Sequence, residues 1–123
     1  MRWSAVAAGL LGAAVVLGAF GAHSLRNRLD AYSLGVWERA VFYHFVHALG
    51  LLLIPLFRLP DAAARRIALL LLAGIFLFSG SLYVLAITGI RTLGAVTPFG
   101  GIAFIAAWGL LAFELSRAAS RPE

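Results

Sequence analysis

The chain has 123 residues, 63% hydrophobic and 12% charged, with a formal net charge of +5, every basic residue an arginine, and no cysteine. Ordinary soluble domains carry about a quarter charged residues, so this composition excludes a water-soluble core and indicates a single polytopic membrane domain. The missing cysteine excludes disulfides and thiolate chemistry, and the scattered arginines, with no basic stripe or interleaved aromatics, exclude nucleic acid as a partner.

Trp3 to Ala22 is an uncharged run of 20 residues, about 30 Å as a helix and long enough to span the hydrocarbon. Arg2 and the small-x-small triplet Ala19-Phe20-Gly21 also suit a signal peptide, but the run exceeds a usual apolar signal core, and a first transmembrane helix is expected. Its small residues form two rows, Ala5/Gly9/Ala13 (with Gly12 beside it) and Ala14/Gly18/Ala22. Such rows let helices approach closely, so these glycines are candidate packing positions.

His23 to Gly35 is the longest polar connection. Leu25, Leu29 and Tyr32 recur at helical spacing among Arg26, Arg28 and Asp30, which predicts a short helix on the membrane surface that Gly35 would end. The second span is expected over about Val36 to Phe57, with Glu38 and Arg39 in its first turn and Pro55 near its end. Pro60-Asp61 breaks the helix, and Asp61 can cap the next one. Ile67 to Ile90 is uncharged and predicts the third span, with Ser79, Gly80 and Ser81 at mid-depth and Gly80 a further candidate packing position. Thr97 and Pro98 suit the N-cap and first turn of a fourth span over about 98–115, to which Gly100 and Gly101 add further packing positions. The tail Ser116 to Glu123 is expected to fray.

The expected fold is therefore all-α: a four-helix transmembrane bundle with approximate spans 3–22, 36–57, 67–90 and 98–115 and a short interfacial segment after the first. Four spans place both termini on one side. That side carries Arg2, Arg58, Arg65, Arg66, Arg117 and Arg121, against Arg26, Arg28, Arg39 and Arg91 on the other, and the positive-inside rule makes it cytoplasmic.

The second span alone carries ionisable side chains into its body. As a helix it places Trp37, Ala40, His44, His47 and Leu51 on one face, with Tyr43 beside His47. Polar groups in a bilayer turn toward protein or water, so this face should point inward. His44, His47, Tyr43, Glu38 and His23 are the candidate polar or binding face. Three readings stay open. The histidines can be interhelical hydrogen-bonding groups. They can handle protons or ions, although Glu38 lies about a third of a turn off their face. They can hold a metal or haem, with His44 and His47 as the ligands and His23 joining only if the connection folds inward. No cofactor is required. No nucleophile–base pair or hydrolase motif can be named, so the protein is expected not to be an enzyme. The lipid bilayer is the certain partner. The two small-residue rows also favour a homo-oligomer, or docking to a larger membrane complex.

Four motifs occur together and in order: G-A-F-G-A-H at Gly18–His23, Y-H-x-x-H-A-L at Tyr43–Leu49, F-S-G-S-L-Y at Phe78–Tyr83 and T-P-F-G-G at Thr97–Gly101. The chain resembles, over nearly its whole length, the small membrane proteins catalogued as domain of unknown function 423. Ser24 stands where that pattern suggests glycine. The resemblance implies a four-helix integral protein of the bacterial inner membrane and no established activity.

Overall fold

A computed structural model describes residues 2–122, all-helical with no strand among the described residues. Four helices, α1 (Trp3–Leu25), α2 (Ala31–Leu56), α3 (Asp61–Thr88) and α4 (Arg91–Ala119), are each long and apolar enough to cross a membrane. Helix α2 packs along α1 on one side and against the second half of α3 on the other, while the first half of α3 packs on α4. The buried core has two parts. Ala7, Ala48, Leu51, Ile67, Leu71, Phe104 and Ala107 fill one end of the bundle. Val36, Trp37, Ala40, Leu82 and Leu85 fill the other.

Helix ends depart from the apolar runs, most clearly at α2, where a side-chain cap sets the start. The expected surface helix over His23–Gly35 does not form as an element of its own. Its first residues extend α1 as a π turn, Gly21–Leu25, and its last ones open α2 at Ala31. Only Arg26–Asp30 remain as connection. Gly35 lies inside α2 and ends nothing, because the Ser33 N–H donates to the Asp30 carboxylate at 2.7 Å and starts the helix upstream. That bond holds the exposed Asp30 carboxyl below its usual range, with the Arg91 charge adding to the effect. A carboxyl lowered in the folded state stabilises above its unfolded pKa, about 4, and loses that contribution as pH falls through the lowered value. Asp30→Ala is therefore expected to fray the first turn of α2 at neutral pH and to matter little in strong acid, as read by amide exchange at Ser33 and Leu34.

Helix α3 begins at Asp61, six residues before the apolar run, with Asp61 in its first turn and Pro60 at the cap position. Gly89 ends α3 with φ +71, a left-handed conformation that glycine adopts without strain, and its N–H donates to the Leu85 carbonyl at 2.8 Å. The guanidinium of Arg91 lies 5.0 Å over the Tyr32 ring, joining the α1–α2 and α3–α4 turns at one end of the bundle. Helix α4 opens as a 3₁₀ turn over Arg91–Ala95 and runs on to Ala119, into the tail expected to fray. Glu123, at the tip of that tail, lies outside the described residues.

Candidate functional site

Helix α2 runs between its neighbours and buries the whole face read from the sequence: Trp37, Ala40, His44, His47 and Leu51. What each side chain meets depends on the rotation of α1, α3 and α4 against that face. Trp37 donates from Nε1 to the Leu17 carbonyl of α1 at 2.9 Å, and its ring packs on Tyr83 of α3 at 4.7 Å. A Cβ on Gly21 would come within 2.5 Å of that indole, so α1 passes Trp37 where it carries no side chain.

His44 is 4% exposed and pairs through Nδ1 with the Tyr83 hydroxyl at 2.9 Å. Its Nε2 is buried and meets no partner in hydrogen-bond geometry. His47 is 5% exposed, and its Nδ1–H donates to the Tyr43 carbonyl of its own helix at 2.7 Å, which fixes the ring orientation. Across the interface the ring lies flat on Phe104 of α4, with centroids 3.4 Å apart and planes 13° from parallel. Tyr43, Phe78 and Trp108 surround the pair as an aromatic belt. The two histidines therefore differ. His44 makes an interhelical hydrogen bond, whereas His47 bonds within its helix and crosses by stacking.

A second polar cluster lies in the second half of α3, where the helix widens into a π turn over Ile75–Gly80. Ser79 is fully buried and donates to the Ala40 carbonyl of α2 at 2.7 Å. Ser81 donates to the Phe78 carbonyl at 2.9 Å, so the 2.6 Å contact between its Oγ and Thr97 Oγ1 is a bond donated by Thr97. Thr97 was expected to cap α4, but its hydroxyl ties α4 to α3 instead.

The other candidates lie apart from this face. Glu38 is exposed beside Arg39, and His23 is exposed in the last turn of α1. Among the described residues no three His, Cys, Asp or Glu side chains are grouped to hold a metal ion. Both Nδ1 atoms are occupied, so a metal or haem at these histidines would have only the Nε2 atoms to use.

The candidate packing glycines divide by what a side chain would meet. At Gly100 a Cβ would overlap the Phe78 backbone, and at Gly18 it would sit 3.4 Å from Val41. At Gly101 it would reach Phe78 only at 3.9 Å, and at Gly9, Gly12 and Gly80 it would meet nothing within 4 Å. Gly50 and Gly74, absent from the sequence-based candidates, are close contacts with the Trp108 and Phe104 rings. Only the pairing of each glycine with a bulky aromatic on another helix could have signalled them, and one sequence does not reveal such pairs.

Known proteins supply a family and no chemistry. The family model described as "Protein of unknown function (DUF423)" matches residues 17–101. The chain is 50% identical over 99 residues to a UPF0382 membrane protein of Staphylococcus saprophyticus, covering 80% of this chain and 82% of that one. It is 49% identical over 100 residues to the UPF0382 membrane protein YwdK of Bacillus subtilis, covering 77% and 80%. A UPF0382 membrane protein of Staphylococcus haemolyticus is 47% identical over 95 residues, covering 76% and 78%. No solved structure matches. With that match across most of the chain and four apolar helices, the protein belongs to the DUF423 family of membrane proteins, whose function is unknown.

Proposed function

We propose that the protein is a non-enzymatic membrane module of one four-span domain that assembles with itself through the outward face of α1. The observation that carries this reading is a contrast between helices. In Trp3–Phe20 only Ala7 and Ala14 are buried, and the exposed face is small over its first part, Ala5, Ala8, Gly9, Gly12 and Ala13, with Val15, Val16 and Phe20 following toward the other end. The outward faces of α3 and α4 carry Leu69, Phe76 and Val84, and Phe99, Ile102, Ile105 and Phe113. Large side chains suit contact with acyl chains, whereas small ones gain little from lipid and let a second helix approach closely. The inner row Ala14/Gly18 faces α2, which leaves Ala5/Gly9/Ala13 for a neighbour. An isologous pair with α1 against α1 closes on itself and needs no further partner.

The mass of the protein in mild detergent, corrected for bound detergent, tests this. Wild type is expected as a multiple of the protomer mass and Gly9→Leu as a single protomer of unchanged helicity. A single-protomer mass for wild type would overturn the reading. The hydrocarbon-crossing parts are taken as 3–22, 36–57, 67–90 and 98–115, with both termini cytoplasmic in the bacterial inner membrane. A C-terminal reporter that works only in the cytoplasm should be active, and activity only from a periplasm-requiring reporter would reverse the orientation.

One observation favours a second reading, passage of a proton or small ion past His44 and His47: the buried Nε2 of His44 without a partner. Pumping or leak in proteoliposomes that is lost in His44→Gln would support it.

A further inference from the structure

The end of the bundle where α1 begins and the α2–α3 turn lies contains a cleft of about 760 Å³ that neither reading above uses. It exists because three helix ends diverge there. Helix α2 closes with a 3₁₀ turn at Ile54–Leu56 that contains Pro55, the chain runs extended through Phe57, and α3 starts only at Asp61. Trp3 of α1 forms the third wall. The volume falls within the roughly 300–1,000 Å³ of small-molecule pockets.

Its lining changes from charged to apolar along α3, from Asp61 and Arg65 to Leu69. Ile54, 1% exposed, is the apolar floor, and Trp3 and Leu69 are apolar walls. Asp61 and Arg65 stand at the rim. Leu69 follows Arg65 by one helical turn on the same face of α3, is 47% exposed, and opens the cleft sideways toward the acyl layer. A charged rim one turn above an apolar, laterally open wall has the polarity of a lipid molecule: phosphate at the interface, chain below it.

The charge selects the class of headgroup. Arg58 and Arg66 flank the lining residues in the chain, so this turn carries three arginines and one aspartate. Asp61 lies in the first turn of α3, where the helix N-terminal N–H groups and dipole offset its charge. Taken over the whole turn the charge is net positive, and a guanidinium can hold a phosphodiester with two parallel hydrogen bonds. We infer that the cleft is a site for one anionic glycerophospholipid, with Arg65 on the phosphate and the Trp3–Ile54–Leu69 wall against the upper acyl chain. Tryptophan and arginine at the bilayer interface are the residue types such a site requires.

Native mass spectrometry of the full chain, released from nanodiscs of equal phosphatidylglycerol and phosphatidylcholine, tests the site. The expected result is one retained phosphatidylglycerol on wild type and about a tenfold loss of it in Arg65→Gln, the size of one charged hydrogen-bond pair. Leu69→Gln, at a lipid-facing position, should also weaken retention. Helical content and melting temperature of both variants are expected to match wild type, and if Arg65→Gln fails to fold, Leu69→Gln carries the test. Equal retention of the two lipids, or unchanged retention in both variants, would overturn the inference. So would displacement of the lipid by millimolar glycerol phosphate, which would reveal a free-anion site.

Discussion

Gly100→Ala is expected to destabilise the bundle by about 1–3 kcal/mol, the range for overpacking a close-packed contact. At Gly100 the backbone of α4 lies directly against that of α3, and an added Cβ would overlap the Phe78 amide nitrogen, Cα and Cβ. Backbone cannot swing aside as a side chain can. The α3 segment is also anchored on both sides, by Ser79 to the Ala40 carbonyl and by Ser81 to Thr97. Gly101→Ala is the matched control. There the new methyl would meet only Phe78, at 3.9 Å, so alanine's better helix propensity should leave stability unchanged or slightly raised. Thermal unfolding of the two variants in one detergent checks the contrast. Equal melting temperatures would mean that α3 and α4 do not touch at this depth.

Tyr83→Phe is expected to cost about 1–2 kcal/mol, with values nearer 0.6 kcal/mol if the unfolded chain finds other partners in the bilayer. The ring remains, so packing on Trp37 is preserved, and the change isolates the hydroxyl. That hydroxyl is the hydrogen-bond partner of His44 Nδ1, and Nε2 of the same ring already lacks one. Its loss leaves an imidazole, 4% exposed, with neither nitrogen satisfied. His44→Phe combined with Tyr83→Phe should recover part of the loss, because replacing both partners removes the stranded polar group. Unfolding of the two single variants and the double variant measures the coupling. A double variant no more stable than the additive sum would mean that the two side chains act independently.

Much of this architecture is legible in the chain because a bilayer leaves few choices. Backbone groups in lipid must be satisfied within the segment, so four apolar runs read directly as four helices. The buried face of α2 follows as directly, since Trp37, Ala40, His44, His47 and Leu51 share one side at helical spacing. Helix ends were less legible. Gly35 looked like a terminator, but the Asp30 carboxylate caps the helix upstream of it and a lone glycine inside a helix costs only about 1 kcal/mol.

Contacts between helices were not legible at all. Tyr83 stands 39 residues from His44, and nothing local says that α3 turns its hydroxyl toward α2. Serines at mid-depth could bond their own helix or a neighbour, and here Ser81 does both. Glycine carries the least information of all. Gly12 and Gly100 look alike in sequence, yet a side chain would meet nothing at the first and the α3 backbone at the second.

Assembly through the small-residue face of α1 can be tested in native membranes because the chain has no cysteine of its own. Gly9→Cys and Gly12→Cys each place a single thiol on that face, where nothing in the protomer lies within 4 Å of the added Cβ. Gly109→Cys places one in equally open space on α4. A disulfide forms only when two Cα atoms come within about 7 Å, so oxidation reports direct α1–α1 apposition. A linked pair is expected from Gly9→Cys or Gly12→Cys and none from Gly109→Cys. Single chains from both α1 variants, or linkage through Gly109→Cys as readily as through α1, would contradict it.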